Sequence, residues 1–234
     1  PLSLTGAAAQ TARTREVRRQ VESYGLRVSA LSAANDFVVI EPDDVQFQVA
    51  RMRGIAGQCA ELMDKPIIRS EGGQPKEAVP AASYQRAMVG CFRACLSFLE
   101  EMGVTLAVDN HGLVTNDGDL LLATLREVNH PLVGSNLDTM NFRWYGNDID
   151  TCNRYYAELA PYVRHVHLKD GFDGRENYRG AALGQGEIDL PSAIGSLQAA
   201  GYDGVYSAEY EGPEAADGIG YGKCIAWMKT NLPA

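Results

Sequence analysis

Short β-rich segments alternate with helical patterns along almost the whole chain, and this alternation constrains the fold more than any other feature. Each segment is separated from the next by one helical pattern, with an additional long loop at 171–188 after the fifth segment. Strict alternation predicts a parallel sheet whose strands are joined by helical crossovers. The six predicted strands are residues 27–33, 66–71, 104–109, 132–138, 163–169 and 204–209.

The helical patterns are one-sided and have recognisable ends. In residues 88–102 the apolar side chains recur at helical spacing, which predicts a helix with one face against the sheet. Several patterns end at a glycine, which adopts the left-handed conformation that closes a helix at little strain. These glycines are Gly25, Gly103 and Gly201. Asn116 and Asp189 precede two further helical patterns and are predicted N-caps.

Two architectures are compatible with this alternation, an open doubly wound sheet and a (β/α) barrel. No GxGxxG motif follows a strand, so the dinucleotide-binding form of the open sheet lacks its main signature. The chain has 234 residues, of which 45% are hydrophobic, enough for one sizeable core. We therefore expect a single α/β domain over residues 1–234.

Charge and cysteine content narrow the classes of partner and compartment. A net charge of −9 opposes binding to nucleic acid or to an anionic membrane surface, because both require clustered Lys and Arg. The five cysteines are an odd number without CxxC spacing, and no apolar N-terminal segment resembles a signal peptide or membrane span. These features favour a reducing, cytoplasmic location and buried, unreactive cysteines.

Metal-capable side chains stand at the C-terminal ends of four successive predicted strands. Both architectures place their sites at this edge of the sheet. Three carboxylates and one imidazole would form an oxygen-rich shell, which favours Mn²⁺ and is compatible with Mg²⁺, Co²⁺ or Zn²⁺. The predicted metal-binding set is Asp109, Asp138, His167 and Glu209.

Other polar side chains near the strand ends are predicted to bind substrate. The predicted set is His111, Lys169, Glu71, Arg69, Asn141, Trp144 and Arg175. Three of them also have structural readings: Lys169 as a salt-bridged strand end, His111 as a loop histidine and Trp144 as a side chain packed under a loop. No basic cluster or glycine-rich helix start marks a phosphate site, so a free or oxidised sugar or a cyclitol is expected rather than a sugar phosphate.

Five motifs, in chain order, carry a resemblance to a known family. VDNHG, NLDTMNF, HVHLKD, LGQGEID and GYDGVYSAEYEG resemble the xylose-isomerase-like TIM barrel family of sugar-phosphate isomerases and epimerases, from about residue 12 to the C-terminus. The resemblance implies a TIM-type barrel and assigns the four metal-capable residues as ligands, with His165 one layer deeper. Asp109 stands where the family usually has glutamate, so either the ion shifts or a water intervenes.

The first strand-like segment matches the third strand of the family barrel. We therefore expect a (β/α) barrel that lacks the first two strands of the family barrel. An open arrangement of six strands exposes two sheet edges, which is unfavourable for a monomer in water. A homo-oligomer or a complex with a different subunit is accordingly expected.

The resemblance implies a metal-dependent isomerase or epimerase that moves a proton on a sugar or related polyhydroxy-carbonyl compound through an enediolate. It nominates Glu209 and Asp109 as the proton-transferring residues. Two alternatives remain open: a lyase or dehydratase acting on inososes or 3-oxo-glycosides, with a partner subunit, and a non-catalytic sugar-binding descendant. A related barrel also occurs in abasic-site endonucleases, but four histidines and an acidic composition fit that class poorly.

Overall fold

The structure, a computed structural model, describes residues 7–232 and contains eight strands and eight α-helices within that range. The strands are β1 Leu31–Ala33, β2 Ile67–Glu71, β3 Thr105–Asp109, β4 Val133–Asp138, β5 Val163–Leu168, β6 Asp170–Phe172, β7 Arg179–Ala181 and β8 Tyr206–Ala208. The helices are α1 Ala7–Ser23, α2 Pro42–Leu62, α3 Tyr84–Met102, α4 Gly118–Val128, α5 Asn141–Tyr145, α6 Ile149–Leu159, α7 Leu190–Ala199 and α8 Ile219–Asn231. Two short 3₁₀ turns, Ala81–Ser83 and Ala160–Tyr162, precede α3 and β5.

Six strands form one parallel sheet in the order β1-β2-β3-β4-β5-β8, which follows the chain. The sheet is curled, since residues of β2 and β3 approach β5 across its concave side. All six predicted strands are therefore confirmed as members of one sheet, and the sequential order is that of a partial (β/α) barrel. Both edge strands, β1 and β8, are shorter than predicted, because an edge strand has a hydrogen-bonding neighbour on one side only.

The loop at 171–188, predicted without secondary structure, contributes to a small antiparallel hairpin. Strand β6 pairs with β7, so that Gly171 lies opposite Gly180 and Phe172 opposite Arg179. The hairpin has no alternating apolar pattern, which is the signal on which strand prediction depends. The carboxylate of Asp170, the first residue of β6, accepts hydrogen bonds from four backbone N–H groups, those of Gly171, Gly184, Gly186 and Ile188.

The helix ends agree with the sequence prediction at most positions. Gly103 closes α3 with φ +63°, and the Asp189 side chain caps α7 by accepting from Ser192 N at 3.0 Å. The N-cap of α4 is Asp117, not Asn116 as predicted. Asn116 is fully buried. Its Nδ2 donates to the Gly112 carbonyl at 3.0 Å, and its Oδ1 accepts from the Asn110 amide at 3.5 Å and not from a helix N–H.

The core lies between the convex side of the sheet and the surrounding helices. Phe92 of α3, Leu106 of β3 and Leu125 of α4 are fully or almost fully buried, and each contributes about 2 kcal/mol through removal of its apolar surface from water. The Phe92 ring meets that of Phe37 edge-on, with centroids 4.8 Å apart. All five cysteines are buried and unpaired, as predicted for small core side chains.

Exposed apolar side chains flank both edges of the sheet. Tyr24 and Leu26, just before β1, are 73% and 61% exposed, and Val205, before β8, is 51% exposed. The expectation of an oligomer or a partner subunit stays a prediction. Within residues 7–232, none of the helices has both the length and the apolar character that a membrane-crossing segment requires.

Candidate metal centre

Three side chains converge at the C-terminal ends of neighbouring strands. Asp138 ends β4, His167 lies near the end of β5 and Glu209 follows β8, and one ligand atom from each lies within 4.8 Å of the others. A zinc-like ion lies about 2.0–2.2 Å from each ligand, so its ligands are about 3–4.4 Å apart. The three side chains thus approach the spacing that a single divalent ion requires.

Asp138 is oriented by the chain around it. Its Oδ1 accepts from the backbone N–H groups of Met140 and Asn141 at 2.8 and 2.9 Å. The buried amide of Asn110 holds the Asp138 backbone at both its N–H and its carbonyl group. Asp138 Oδ2 is buried and has no hydrogen-bond partner among the described residues. An unsatisfied carboxylate oxygen in the interior is unfavourable, and a bound cation would satisfy it.

Each carboxylate oxygen of Glu209 contacts a side chain of the cluster or its surroundings. Its Oε2 lies 2.9 Å from His167 Nδ1, and its Oε1 accepts from Lys169 Nζ at 2.9 Å. The Lys169 ammonium also contacts Glu211 Oε2 at 2.8 Å, while its backbone is tied to the Thr139 hydroxyl. The side chain of Lys169 is 7% exposed, so this ammonium is a buried cation between two carboxylates. Lys169 is therefore salt-bridged, to Glu209 and Glu211, and its contact with a substrate stays a prediction.

The electrostatics of the cluster follow from burial and close charges. Burial raises the pKa of Asp138 to about 7, against the lowering effect of Lys169. The contact with His167, together with Lys169, lowers the pKa of Glu209 to about 2 despite its partial burial. Burial alone would lower the pKa of His167, but the nearby carboxylates outweigh it and the pKa is raised. The cluster therefore attracts positive charge, as protons or as a metal ion.

Asp109 does not join this group. It is fully buried at the end of β3, where its Oδ2 accepts from Arg69 Nη2 and its Oδ1 accepts from the amide of Asn136. The structure therefore brings together three of the four predicted ligands and gives the fourth other partners. The reason is the register of β2 and β3, which pairs Arg69 with Ala107 and places its guanidinium beside Asp109.

A layer of hydrogen-bonded polar side chains lies on the same side of the sheet. Asn136 Oδ1 is 2.7 Å from His165 Nδ1, which requires this ring nitrogen to carry the proton because Asn136 donates its own amide to Asp109. Burial, followed by the neighbouring His167, lowers the pKa of His165 to about 4. His165 is thus a buried, neutral histidine hydrogen-bonded to Asn136.

Two further predicted substrate residues lie beside Arg69. Glu71 Oε1 is 3.5 Å from Arg69 Nη1 and 3.8 Å from His111 Nδ1. The side chain of His111 is 43% exposed, whereas those of Arg69 and Glu71 are largely buried. These three side chains form one group beside the end of β3, and their contact with a substrate stays a prediction.

The remaining predicted substrate residues follow β4 and β5. Asn141 is buried, and its amide donates to the Asn110 carbonyl at 2.9 Å. Arg175 is exposed, and its backbone N–H donates to the carbonyl of the half-buried Trp144 at 2.9 Å. Asn141 therefore helps to fix the end of β4 beside Asp138, while Trp144 and Arg175 connect the hairpin loop to α5. Contact of these three residues with a substrate stays a prediction.

Sequence reasoning missed three residues that shape the site: Glu211, Asn110 and Asn136. Glu211 follows Glu209 by two positions, so period-two alternation could have indicated that both face the same side. The same alternation places Asn136, two positions before Asp138, on the ligand side of β4, whereas Asn110 gave no comparable signal. Their roles depend on which backbone and side-chain groups lie opposite them across β3, β4 and β5.

A curled parallel sheet surrounded by helices, with an Asp, His and Glu cluster at the C-terminal strand ends, defines a (β/α)-barrel protein with a candidate divalent-metal centre. The chain belongs to the xylose isomerase-like TIM barrel family, whose family model matches residues 4–231. This finding confirms both the resemblance and the predicted fold class.

Solved structures share the fold at low sequence identity. A D-tagatose 3-epimerase-like protein is 16% identical with a TM-score of 0.76, over 98% of this chain and 86% of that one. The IOLI protein with a binding zinc atom is 18% identical with a TM-score of 0.73, over 94% of this chain and 80% of that one. The probable 3-DHS dehydratase AsbF of Bacillus anthracis is 18% identical with a TM-score of 0.72, over 95% of this chain and 83% of that one. Among curated protein sequences, none is similar enough to this chain to count as a relative.

Proposed function

We propose that this protein is a divalent-metal-dependent isomerase or epimerase that acts on a sugar or a related polyhydroxy-carbonyl compound. The observation that carries the proposal is the buried Asp138 Oδ2, which lacks a hydrogen-bond partner within the described part of the chain and belongs to the group formed with His167 and Glu209. The family, and neighbours described as a sugar epimerase-like protein and a zinc-bound protein, support it.

The donor set fits a divalent ion. Two carboxylates and one imidazole carry a formal charge of −2 and would leave coordination positions for substrate oxygens. We propose Mn²⁺ first, with Mg²⁺, Co²⁺ and Zn²⁺ as compatible ions. A divalent ion held by Asp138, His167 and Glu209 would polarise a substrate carbonyl and stabilise the negative charge that develops when the neighbouring carbon loses its proton.

Glu209 is the proposed base. Because its pKa is lowered to about 2, its carboxylate is ionised at neutral pH and can accept the proton from the carbon next to the carbonyl. Lys169 holds one oxygen of Glu209 and thereby fixes the direction from which the proton is taken. Return of the proton by Glu209 to the adjacent carbon gives isomerisation. Epimerisation requires a second acid that donates a proton to the opposite face of the same carbon while Glu209 keeps the proton it removed.

A lyase acting on inososes or 3-oxo-glycosides is the second candidate. The bonding of Asp109 to Arg69 and Asn136 favours it, because elimination requires one carboxylate base and Glu209 can supply it. The Lys169 ammonium, 2.9 Å from Glu209, could stabilise the negative charge that develops on the departing oxygen. A structural neighbour described as a probable dehydratase shows that the fold accommodates this reaction class.

The test is turnover in D₂O. The protein, loaded with Mn²⁺, is incubated with ketoses, inososes and 3-oxo-glycosides, and the products are followed by NMR. Deuterium entering the carbon next to the carbonyl indicates isomerase or epimerase chemistry, whereas an enone or a released aglycone indicates the lyase. We expect Glu209→Gln to abolish both deuterium incorporation and elimination. The control is Glu214→Gln, at a surface residue paired with Lys223, which should leave turnover unchanged. Unchanged turnover in Glu209→Gln would remove Glu209 as the base.

A further inference from the structure

We infer that Asp109 is the permanent counter-ion of Arg69 and not a metal ligand, so that Arg69 limits the metal centre to the three protein ligands Asp138, His167 and Glu209. The inference rests on the proposed metal-dependent function and goes beyond it. It sets the ligand number of the centre and identifies the residue that determines it.

Both oxygens of Asp109 already have strong partners. Arg69 Nη2 contacts Oδ2, and the Asn136 amide donates to Oδ1. Asp109 is fully buried, and the Arg69 side chain is 12% exposed, so the pair is shielded from water. Separating such a pair is unfavourable, because the largely buried guanidinium would lose its closest carboxylate and keep the Glu71 carboxylate at 3.5 Å.

The contrast with Asp138 is informative, because both residues are aspartates at the end of neighbouring strands. Asp138 uses one oxygen to bind two backbone N–H groups and leaves Oδ2 without a partner among residues 7–232. Asp109 has no such vacant oxygen. The two oxygens of Glu209 also have partners, but one of these is His167, which belongs to the candidate cluster, whereas the partners of Asp109, Arg69 and Asn136, lie outside it. The Asp109 backbone carbonyl also accepts from the Thr115 hydroxyl at 2.6 Å, which fixes the end of the strand.

The charges of the site agree with this assignment. The Arg69 guanidinium neutralises Asp109, and the three remaining ligands carry a formal charge of −2, which matches a divalent ion. A fourth carboxylate would raise that charge to −3. The register of β3 and β4 nevertheless places Asp109 opposite Asn136, two positions before Asp138 and on the same face of the sheet. Removal of Arg69 should therefore release Asp109 to become a fourth ligand.

The test is a calorimetric titration of the metal-free full chain with Mn²⁺, which requires no substrate. We expect Asp109→Asn to bind Mn²⁺ within about threefold of the wild-type affinity, and Asp138→Asn to bind about 100-fold more weakly. Arg69→Met should bind about tenfold more tightly than wild type, because the released carboxylate joins the ion. Adding Asp109→Asn to Arg69→Met should abolish that gain.

The double variant also serves as the folding control. Asp109→Asn alone takes from the buried guanidinium its closer carboxylate and leaves it with Glu71 at 3.5 Å, whereas Arg69→Met with Asp109→Asn removes both charges and should melt as one cooperative unit. An Mn²⁺ affinity of the double variant within threefold of wild type supports the inference. A loss in the double variant as large as that of Asp138→Asn would overturn the inference and leave the proposed function intact. Failure of the wild-type chain to bind Mn²⁺ would overturn both.

Discussion

Lys169 Nζ lies 2.9 Å from Glu209 Oε1, and the Lys169 side chain is almost completely buried. Its pKa is raised, since the nearby carboxylates of Asp138, Glu209 and Glu211 outweigh the opposing effect of burial, and the ammonium therefore stays charged at neutral pH. Lys169 thus acts with His167 to keep Glu209 ionised, and its contact with Oε1 fixes the orientation of the carboxylate. It is a positioning residue for the proposed base.

Substitution of Lys169 by Met should reduce turnover by about 100-fold, because a base displaced by about 1 Å loses that much rate. The acidic limb of the pH profile of kcat should move to higher pH, since Glu209 loses a stabilising cation. The matched control is Lys223→Met, which removes a surface lysine paired with Glu214 and should change neither quantity. A pH profile identical to wild type would contradict the positioning role.

Mn²⁺ affinity should fall as the pH falls. The pKa of Asp138 is raised to about 7 and that of His167 is also raised, so below pH 7 an ion must displace protons from both. Asp138 alone predicts a tenfold weaker affinity at pH 6 than at pH 8, or about 1.4 kcal/mol, and His167 adds in the same direction. Calorimetric titrations at the two pH values measure the difference. Equal Mn²⁺ affinities at pH 6 and pH 8 would contradict the raised pKa of Asp138.

The free energy of unfolding of the metal-free protein should depend on pH, because Asp138 ionises in the same range. When the pKa of a group is higher in the folded than in the unfolded protein, its protonated form stabilises the fold. This stabilisation is complete below the pKa of the unfolded state and is lost as the pH rises through the pKa of the folded state. For Asp138 this window extends from 3.8 to about 7. The metal-free chain should therefore lose about 1 kcal/mol of unfolding free energy between pH 6 and pH 8. Denaturant titrations with and without Mn²⁺ check this, because bound metal should reduce or reverse the loss.

Asp170 should be essential for the order of the hairpin loop. Each of its carboxylate oxygens accepts two backbone N–H groups, so Asp170→Asn would place an amide donor against two donors. We expect a loss of about 2–4 kcal/mol in unfolding free energy and faster tryptic cleavage after Arg175 and Arg179. Asp173→Asn, at a half-exposed position in the same loop, should change stability by less than about 0.5 kcal/mol. Equal protease resistance of both variants would contradict the anchoring role.

The cysteines should be unreactive in the folded protein. Burial raises the pKa of Cys59, Cys95 and Cys152 to about 12 and that of Cys91 to about 11, and Cys224 is fully buried. Iodoacetamide at pH 8 should modify none of them, whereas all five should react in guanidinium. Mass spectrometry of the native and the denatured sample gives the number of modified cysteines in each. Rapid modification of a single cysteine in the native protein would indicate a local opening.

The strands and their order could be predicted from the sequence because their signals are local. Apolar strand segments and glycine-terminated helices are properties of a few neighbouring residues, and sequential parallel pairing follows from helical crossovers. The β6–β7 hairpin could not be predicted in this way. It depends on Asp170 gathering backbone N–H groups from residues up to 18 positions away.

The candidate site could be predicted only in part, for a different reason. Period-two alternation identified the faces of the strands and therefore the three side chains that converge. It could not decide between a metal ion and Arg69 as the partner of Asp109, because that choice depends on the register between β2 and β3 and on side-chain reach. The Lys169 contact with Glu211 likewise depends on the separation of β5 and β8.

The most direct measurement is an anomalous difference map from crystals of the full chain grown with MnCl₂ and recorded at the manganese edge. The account predicts one peak about 2.0–2.3 Å from an oxygen of Asp138, a ring nitrogen of His167 and an oxygen of Glu209. A map without a peak among these three side chains, or with manganese bound only elsewhere, would contradict it.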